Sequence, residues 1–151
     1  MPPSKLTEAI DSILHVTGAI SRFKLTKLLY LADLASVTNT GRGITGCVYL
    51  RQEDGPWPPM LTAAIAALEE DGLLLQTRRK GTLVLTMART EATEHLAESD
   101  IDFIAQIVGR YGQLSDFQLK TTTYRTQPMR QLLRAEKKGE ATNNRVVLDA
   151  R

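Results

Sequence analysis

The sequence predicts an α+β fold, mainly helical, in which a small antiparallel sheet packs on a helical bundle. Three observations lead to this fold class. Apolar residues recur at helical spacing in the stretch Phe23–Ala35. Two runs rich in strand-forming residues flank a glycine-containing turn at 79–81. The 151 residues contain no repeat, linker or low-complexity run. We therefore expect one compact domain over residues 1–151, with a core of about 20–140 and a polar tail over 140–151.

The composition is that of a globular protein, with 42% apolar and 24% charged residues. The formal net charge of +2 is too small to require a nucleic-acid partner. Cys47 is the one cysteine, which excludes an intrachain disulfide and fits a reducing compartment. No apolar run resembles a signal peptide or a membrane-spanning helix. We therefore expect a cytoplasmic protein with no membrane partner.

Two N-terminal helices are predicted from their capping residues. Ser4 is the expected start of the first helix, which ends near Gly18. Ser21 is the expected N-cap of the central helix, which ends at the Asn-Thr-Gly sequence of residues 39–41. The two helices are therefore separated by only a short link.

The central helix is expected to be amphipathic. Its apolar positions form one wide stripe, which consists of Leu25, Leu28, Leu29, Ala32 and Ala35. The polar residues Lys24, Lys27 and Asp33 fall off this stripe, so one face of the helix is expected to reach solvent. Leu28 and Leu29 are expected at the centre of the core.

A strand and a rigid corner are predicted to follow the central helix. Residues 44–50 favour extended backbone, and 54–59 contain three prolines and a glycine. Gly55 can adopt the positive φ that a corner needs. Pro59 is the expected first residue of the next helix, which ends at Gly72.

A β-hairpin is predicted next, with strands at 73–78 and 82–87 and Gly81 in the left-handed turn position. The order helix, strand, basic turn, strand resembles a winged helix. In that interpretation the wing tip, with Arg78, Arg79 and Lys80, touches the DNA backbone. The preceding helix argues against DNA, because it lacks side chains that read bases and ends in three acids. A hairpin with an exposed basic turn is the alternative.

Four further helices are predicted in the C-terminal half from caps and glycine stops. They are a short polar helix over 90–98, a helix opened by a Ser99–Asp102 capping box, a helix from Ser115 and Gln118 to Thr123, and a last helix from Pro128 to Gly139. The apolar residues 146–148 are expected to form a docking segment or a short edge strand.

No catalytic centre, cofactor site or metal site is predicted. His15, His95 and Cys47 are scattered, without the spacing that places two metal ligands together. The sequence lacks a glycine-flanked serine elbow, a P-loop and a dinucleotide-binding fingerprint. We therefore expect a protein that is not an enzyme.

Three motifs occur in a fixed order along the chain. Lys24–Ala32 matches K-L-x-K-L-L-Y-x-A, Gly55 and Pro56 form a G-P motif, and Thr123 and Pro128 match T-H-x-x-x-P-W at the same spacing. Taken together, these motifs resemble the Panacea domain family, which includes proteins similar to the SocA antitoxin of bacterial and phage toxin–antitoxin pairs. The chain departs from the family at Tyr124, where histidine is usual, and at Met129, where tryptophan is usual.

The resemblance implies a non-enzymatic, antitoxin-like protein that binds a cognate toxin encoded by a neighbouring gene. A variant of this role is an adaptor that hands the toxin to a protease. The expected partner-binding residues are Lys24, Lys27, Tyr30, Gly55, Pro56, Trp57, Thr123, Tyr124 and Pro128. The alternative function is a winged-helix transcriptional regulator that contacts DNA through Arg78, Arg79 and Lys80.

Trp57 has two possible roles. It stands between prolines, so it can be an interface anchor that is presented in a fixed direction. It can also cap the core next to Leu61. The sequence leaves both roles open.

Overall fold

The computed structural model of the protein describes residues 4–89 and 94–149. Within these ranges the chain forms six helices and six short strands, and the predicted mainly helical α+β class is confirmed. The elements in chain order are α1 (Lys5–Thr17), β1 (Ile20–Ser21), α2 (Arg22–Thr40), β2 (Tyr49–Gln52), β3 (Gly55–Trp57), α3 (Leu61–Glu70), β4 (Leu74–Arg79), β5 (Thr82–Met87), α4 (Glu98–Tyr111), α5 (Asp116–Tyr124), α6 (Gln127–Lys137) and β6 (Arg145–Val146).

The strands form two antiparallel sheets of three strands each, in the orders β1-β5-β4 and β3-β2-β6. The predicted hairpin and the predicted strand after α2 therefore belong to different sheets. β1 was not predicted, because two residues carry no periodic signal; Ile20 pairs with Leu85, and Ser21 pairs with Val84.

Helix α2 lies at the centre of the fold and contacts α1, α4, α5, β1, β3 and β5. Its predicted caps are confirmed: the Ser21 hydroxyl accepts a hydrogen bond from the Lys24 N–H, and Gly41 ends the helix in the left-handed conformation. Leu28 and Leu29 are buried as predicted.

The prediction of an amphipathic α2 with one solvent-facing side is wrong. Every residue from Leu25 to Asp33 is buried, including Lys27 and Asp33, which are 3% and 1% exposed. Burying a polar or charged side chain costs free energy unless the side chain has hydrogen-bond partners. Both side chains have such partners on other elements of the chain.

The strand predicted over 44–50 begins only at Tyr49. The backbone N–H groups of Ile44 and Thr45 donate to a carboxylate oxygen of Asp33, so this segment is held by α2 and not by a neighbouring strand. The predicted corner is itself a strand, because Gly55–Trp57 pairs with β2. Pro59 precedes α3 and does not begin it.

The polar helix predicted over 90–98 is wrong for its described part; residues 90–93 lie outside the described ranges. The carboxylate of Glu8 accepts backbone hydrogen bonds from Glu94, His95 and Leu96 at 2.8 to 3.2 Å. These N–H groups are therefore held by α1. Burial raises the pKa of Glu8, but the hydrogen bonds from His95, Leu96 and Glu94 outweigh burial and hold it below its ordinary value.

Helix α4 begins two residues earlier than predicted, with Ala97 and not Ser99 at the N-cap position. The Ser99–Asp102 capping box is wrong, because Asp100 accepts the Ala97 N–H at 2.9 Å and thereby closes the first turn. The helix continues through Gly109 and ends at Tyr111.

Helices α5 and α6 lie within two residues of their predicted bounds. Ser115 and Gln118 form a capping box at the start of α5, and α6 has Pro128 in its first turn. Of the two interpretations of the apolar tail, the short edge strand is the one observed, since β6 pairs with β2.

Candidate functional site

The three motif segments, distant in sequence, meet beside α2. We call the five residues at their meeting point the motif junction: Lys27, Tyr30, Gly55, Pro56 and Thr123. All five are buried. The Lys27 ammonium donates a hydrogen bond to the carbonyl oxygen of Pro56 at 3.1 Å, and thereby joins the first motif to the second.

Gly55 is the residue at which the hairpin β2–β3 approaches helices α2 and α5. Its φ is +111°, a conformation that favours glycine. A Cβ atom here would lie 3.3 Å from the Lys27 Nζ and 3.3 Å from the Thr123 Oγ1. The absence of a side chain is therefore what allows Lys27 and Thr123 to close over the hairpin.

Tyr30 joins α2 to the link between α5 and α6. Its hydroxyl lies 2.7 Å from the Thr126 Oγ1, which donates to the Thr123 carbonyl oxygen at 2.6 Å. Because the Thr126 proton is used in that second bond, the Tyr30 hydroxyl is the donor in the first. Burial raises the pKa of Tyr30 to about 12, so the phenol keeps the proton that it donates.

Lys27 carries a buried charge. Burial is the largest influence on its pKa, with a smaller opposing effect of Asp54 and a further lowering by Lys120; together they lower the pKa to about 8. The ammonium also lies 4.9 Å from the centre of the Phe23 ring. Asp54 also forms an ion pair with Lys120, and the Lys120 ammonium lies 3.2 Å from the Asp54 carboxylate.

Asp33 organises the other end of the buried face of α2, a role that sequence analysis missed. One carboxylate oxygen accepts the N–H groups of Ile44 and Thr45 at 2.7 and 2.9 Å. The other accepts the hydroxyls of Tyr49 at 2.6 Å and Thr45 at 2.5 Å. Burial, followed by the negative charge of Asp33, raises the pKa of Tyr49 well above its ordinary value.

A sequence signal for this buried polar face does exist. Lys27, Tyr30 and Asp33 follow each other at intervals of three, which places them along one side of a helix. The ring of Tyr49 packs edge-on against Tyr30, with ring centres 5.4 Å apart, and connects the Asp33 contacts to the motif junction. The side of α2 that seemed to face solvent is therefore a continuous buried network.

The structure places the nine predicted partner-binding residues at two depths. Six are buried, namely Lys27, Tyr30, Gly55, Pro56, Thr123 and Pro128, and three are half-buried, namely Lys24, Trp57 and Tyr124. Met129, at the second departure from the family motif, is fully buried in the core. Their role in partner binding stays a prediction.

Tyr124 and Trp57 lie at the rim of the motif junction. The Tyr124 hydroxyl donates to the carbonyl oxygen of Glu53 at 3.1 Å, so the tyrosine at the usual histidine position contacts the turn of the hairpin. Trp57 pairs with Leu50 in the sheet, and its strand contacts α5. Its side chain is half-buried, so its burial does not decide between an interface anchor and a core residue.

Phe117 extends this rim along α5 and was not singled out from the sequence. Its side chain is 78% exposed, although phenylalanine is usually buried. It precedes Tyr124 by seven residues, which places the two rings on the same face of the helix. Because Phe117 lies on the Tyr124 side of α5, we include it with Trp57 and Tyr124 in what we call the rim.

The residues of the alternative DNA site lie on the other sheet. Arg78 and Arg79 end β4, Lys80 begins the turn, and all three are exposed. Lys80 and Gly81 both have positive φ, as a two-residue hairpin turn requires. The predicted left-handed Gly81 is confirmed.

Inside the motif junction the polar side chains are already bonded to other groups of the chain. The Lys27 ammonium is bonded to Pro56, and the Thr123 hydroxyl donates to the Lys120 carbonyl at 2.8 Å. Among residues 4–89 and 94–149, no group of three His, Cys, Asp or Glu side chains is arranged to hold a metal ion. None of the helices in these ranges is long and apolar enough to cross a membrane. The junction thus positions three segments, and only its rim is accessible to another molecule.

Comparison with known proteins adds one finding. The family model described as "Antitoxin SocA-like, Panacea domain" matches residues 25–128. This range contains all five residues of the motif junction. No curated protein and no solved structure gave a significant match.

Proposed function

Because the chain belongs to the antitoxin SocA-like family with the Panacea domain, we propose that it is an antitoxin that neutralises a toxin by binding it directly. The observation that carries this proposal is the convergence of the three motif segments beneath a rim of accessible aromatic side chains. Binding of this kind requires no cofactor and no catalytic centre. We place the protein in the cytoplasm, with the toxin encoded by a neighbouring gene.

The motif junction acts in this proposal as the support of the binding surface. The Lys27–Pro56 bond joins α2 to the hairpin β2–β3, and the Tyr30–Thr126 bond joins α2 to the link between α5 and α6. At the rim, the Tyr124 hydroxyl bonds α5 to the turn of the hairpin. A surface that is rigid before binding loses less entropy in the complex. The buried motif residues thus contribute indirectly, by holding the rim in place.

The rim residues Trp57, Tyr124 and Phe117 are the proposed anchors for the toxin. Aromatic side chains bury a large area at a low cost in conformational entropy, and a few of them often dominate an interface. Half-buried Lys24 adds a positive charge from α2. Among the large apolar side chains of residues 4–89 and 94–149, Phe117 is the most exposed, and it supplies the clearest reason for a partner here.

Co-expression with the neighbouring gene tests the proposal. We expect the two products to co-purify as a complex, and the protein to restore growth of cells that express the toxin. A neighbour that is not toxic, or a toxic neighbour that neither binds the protein nor is neutralised by it, would contradict the proposal. Survival that depends on a cellular protease, with loss of the toxin, would identify the adaptor variant.

A second candidate, a DNA-binding regulator, is favoured by one observation. The order α1, β1, α2, α3, β4, β5 with sheet order β1-β5-β4 is that of a winged helix, with β2 and β3 inserted before α3. The exposed residues of α3 include Thr62, Ala63 and Ala66, which offer little for reading bases. We therefore rank this function second.

Titration with the DNA upstream of the gene separates the two candidates. We expect no binding tighter than about 10⁻⁸ M at physiological salt, the weak limit of typical specific complexes. Tighter binding would support the regulator. Replacing Arg78, Arg79 and Lys80 by glutamine should then reduce the salt dependence, because phosphate contacts release counterions.

A further inference from the structure

A cleft of about 220 Å³ opens between the start of α1, the end of α2 and the start of α4. Its lining includes Lys5, Arg42, His95, Ser99, Asp100 and Phe103, and none of the residues of the motif junction. The toxin-binding proposal therefore does not account for this cleft.

The cleft collects positive charge from separate parts of the chain. Lys5 lies in the first turn of α1 and Arg42 follows the end of α2. Within the described residues the ion pairs are Arg51–Glu136, His95–Glu8 and Lys120–Asp54, so Lys5 and Arg42 take part in none. Two cations that face one cleft without an acidic partner favour an anionic ligand.

The acidic residue in the lining is already engaged. Asp100 accepts the Ala97 N–H at 2.9 Å and closes the first turn of α4. Its charge is thus offset in part by the backbone that it caps. Taken with Lys5 and Arg42, the cleft keeps an excess of positive charge.

The other walls supply an imidazole nitrogen, a hydroxyl group and an apolar surface. His95 donates its Nδ1–H to the Glu8 carboxylate, so in the neutral ring Nε2 is an acceptor that can contact a P–OH group of a ligand. Ser99 is exposed, and its hydroxyl makes no hydrogen bond within the described part of the chain. Phe103 is half-buried and packs against the core, so its ring is a fixed apolar wall.

We propose that this cleft binds a small phosphate monoester that carries an apolar or aromatic group. The phosphate lies between Lys5 and Arg42, whose N–H groups form charge-assisted hydrogen bonds to its oxygens. The apolar group packs on Phe103. The volume limits the ligand to a small molecule.

Calorimetric titration of the full chain at low ionic strength tests the site, with inorganic phosphate and phenyl phosphate as probes. We expect both to bind saturably, and phenyl phosphate to bind more tightly because its ring reaches Phe103. Arg42→Gln and, separately, Lys5→Gln should each weaken binding about tenfold, the effect of losing one charged hydrogen bond. Both residues are exposed, so both variants should remain folded.

Arg79→Gln is the matched control, since Arg79 is an exposed arginine at the end of β4 and does not line the cleft. Its affinity for both probes should equal that of the wild type. Absence of saturable binding, unchanged affinity in Arg42→Gln and Lys5→Gln, or an equal loss in Arg79→Gln would each overturn the site. Equal affinity for the two probes would overturn the apolar part of the proposed ligand.

Discussion

The ammonium of Lys27 and the carbonyl oxygen of Pro56, 29 residues apart in sequence, are joined by a buried hydrogen bond of 3.1 Å. The bond connects the central helix to the hairpin β2–β3 at the point where Gly55 lets the two approach. A buried ammonium with one carbonyl partner is costly to keep charged. The first prediction below concerns the Lys27 ammonium, and the second concerns Gly55, which precedes Pro56.

The stability of the protein should depend on the protonation of Lys27. Burial lowers its pKa from 10.5 to about 8, so between these pH values the unfolded chain binds more protons than the folded chain. The free energy of unfolding attributable to Lys27 should therefore rise with pH across this window, by at most about 1.4 kcal/mol per pH unit. Urea denaturation of the wild type and Lys27→Met, at several pH values from 7 to 10, measures this change. Parallel pH curves for the two proteins would show that the folded state does not perturb Lys27.

Gly55→Ala should destabilise the protein by about 1–3 kcal/mol, because alanine is strained at a positive φ and its Cβ would crowd two polar side chains. Gly109→Ala is the control, since Gly109 lies inside α4 and has open space around it. There alanine should stabilise the helix by about 0.5–1 kcal/mol. Chemical denaturation measures both. Equal effects of the two substitutions would mean that Gly55 has no special requirement for glycine.

Trp57→Ala distinguishes the two roles of this half-buried side chain. As an anchor, Trp57 should contribute at least about 2 kcal/mol to toxin binding, and its loss should weaken affinity about thirtyfold with little effect on stability. As part of the core it should contribute about 3–5 kcal/mol to stability. We expect the first result, because the ring is incompletely buried. Unfolding and binding measurements on the one variant decide between the roles.

Phe117→Ala should weaken toxin binding about tenfold or more, and leave the unfolding free energy within about 0.5 kcal/mol of the wild type. The reason is that 78% of the side chain is exposed, so truncation removes few internal contacts. Leu75→Ala is the matched control, because Leu75 is 52% exposed on β4, in the sheet that does not contain Trp57. This control should bind the toxin with wild-type affinity. If both variants bind the toxin with wild-type affinity, the rim does not extend along α5.

Leu28→Ala should cost about 2–5 kcal/mol of stability, through the lost burial of the side chain and the cavity that remains. Leu28 is fully buried on the central helix. Leu34→Ala provides the comparison, as Leu34 lies on the same helix but is only partly buried. Leu34→Ala should cost less stability than Leu28→Ala. A cost near zero for Leu28→Ala would contradict the central position of α2.

Most element boundaries could be predicted because they depend on neighbours in sequence. Ser4, Ser21 and Ser115 cap their helices with side chains that bond to N–H groups three residues later. The hairpin β4–β5 needs only strand-forming residues and a glycine in the turn. Interactions of such short range can be predicted from the residues on either side.

Three of the errors share one physical cause, which is a polar side chain whose partner lies far away in sequence. Asp33 holds residues 44 and 45 out of a strand, and Glu8 holds residues 94 to 96 out of a helix. Lys27 reaches Pro56. Lys27 and Asp33 were predicted on the solvent-facing side of α2, since a hydropathy pattern counts a charged residue as exposed.

The sequence by itself determined the fold class, the central helix with its buried leucines, and the three motifs that relate the chain to its family. Only the tertiary structure decided that those motifs form one buried junction, and that Trp57, Tyr124 and Phe117 lie at its rim. The physical reason is that local backbone preferences act within a few residues, whereas the burial of a charge is favourable only where distant segments bring it a partner.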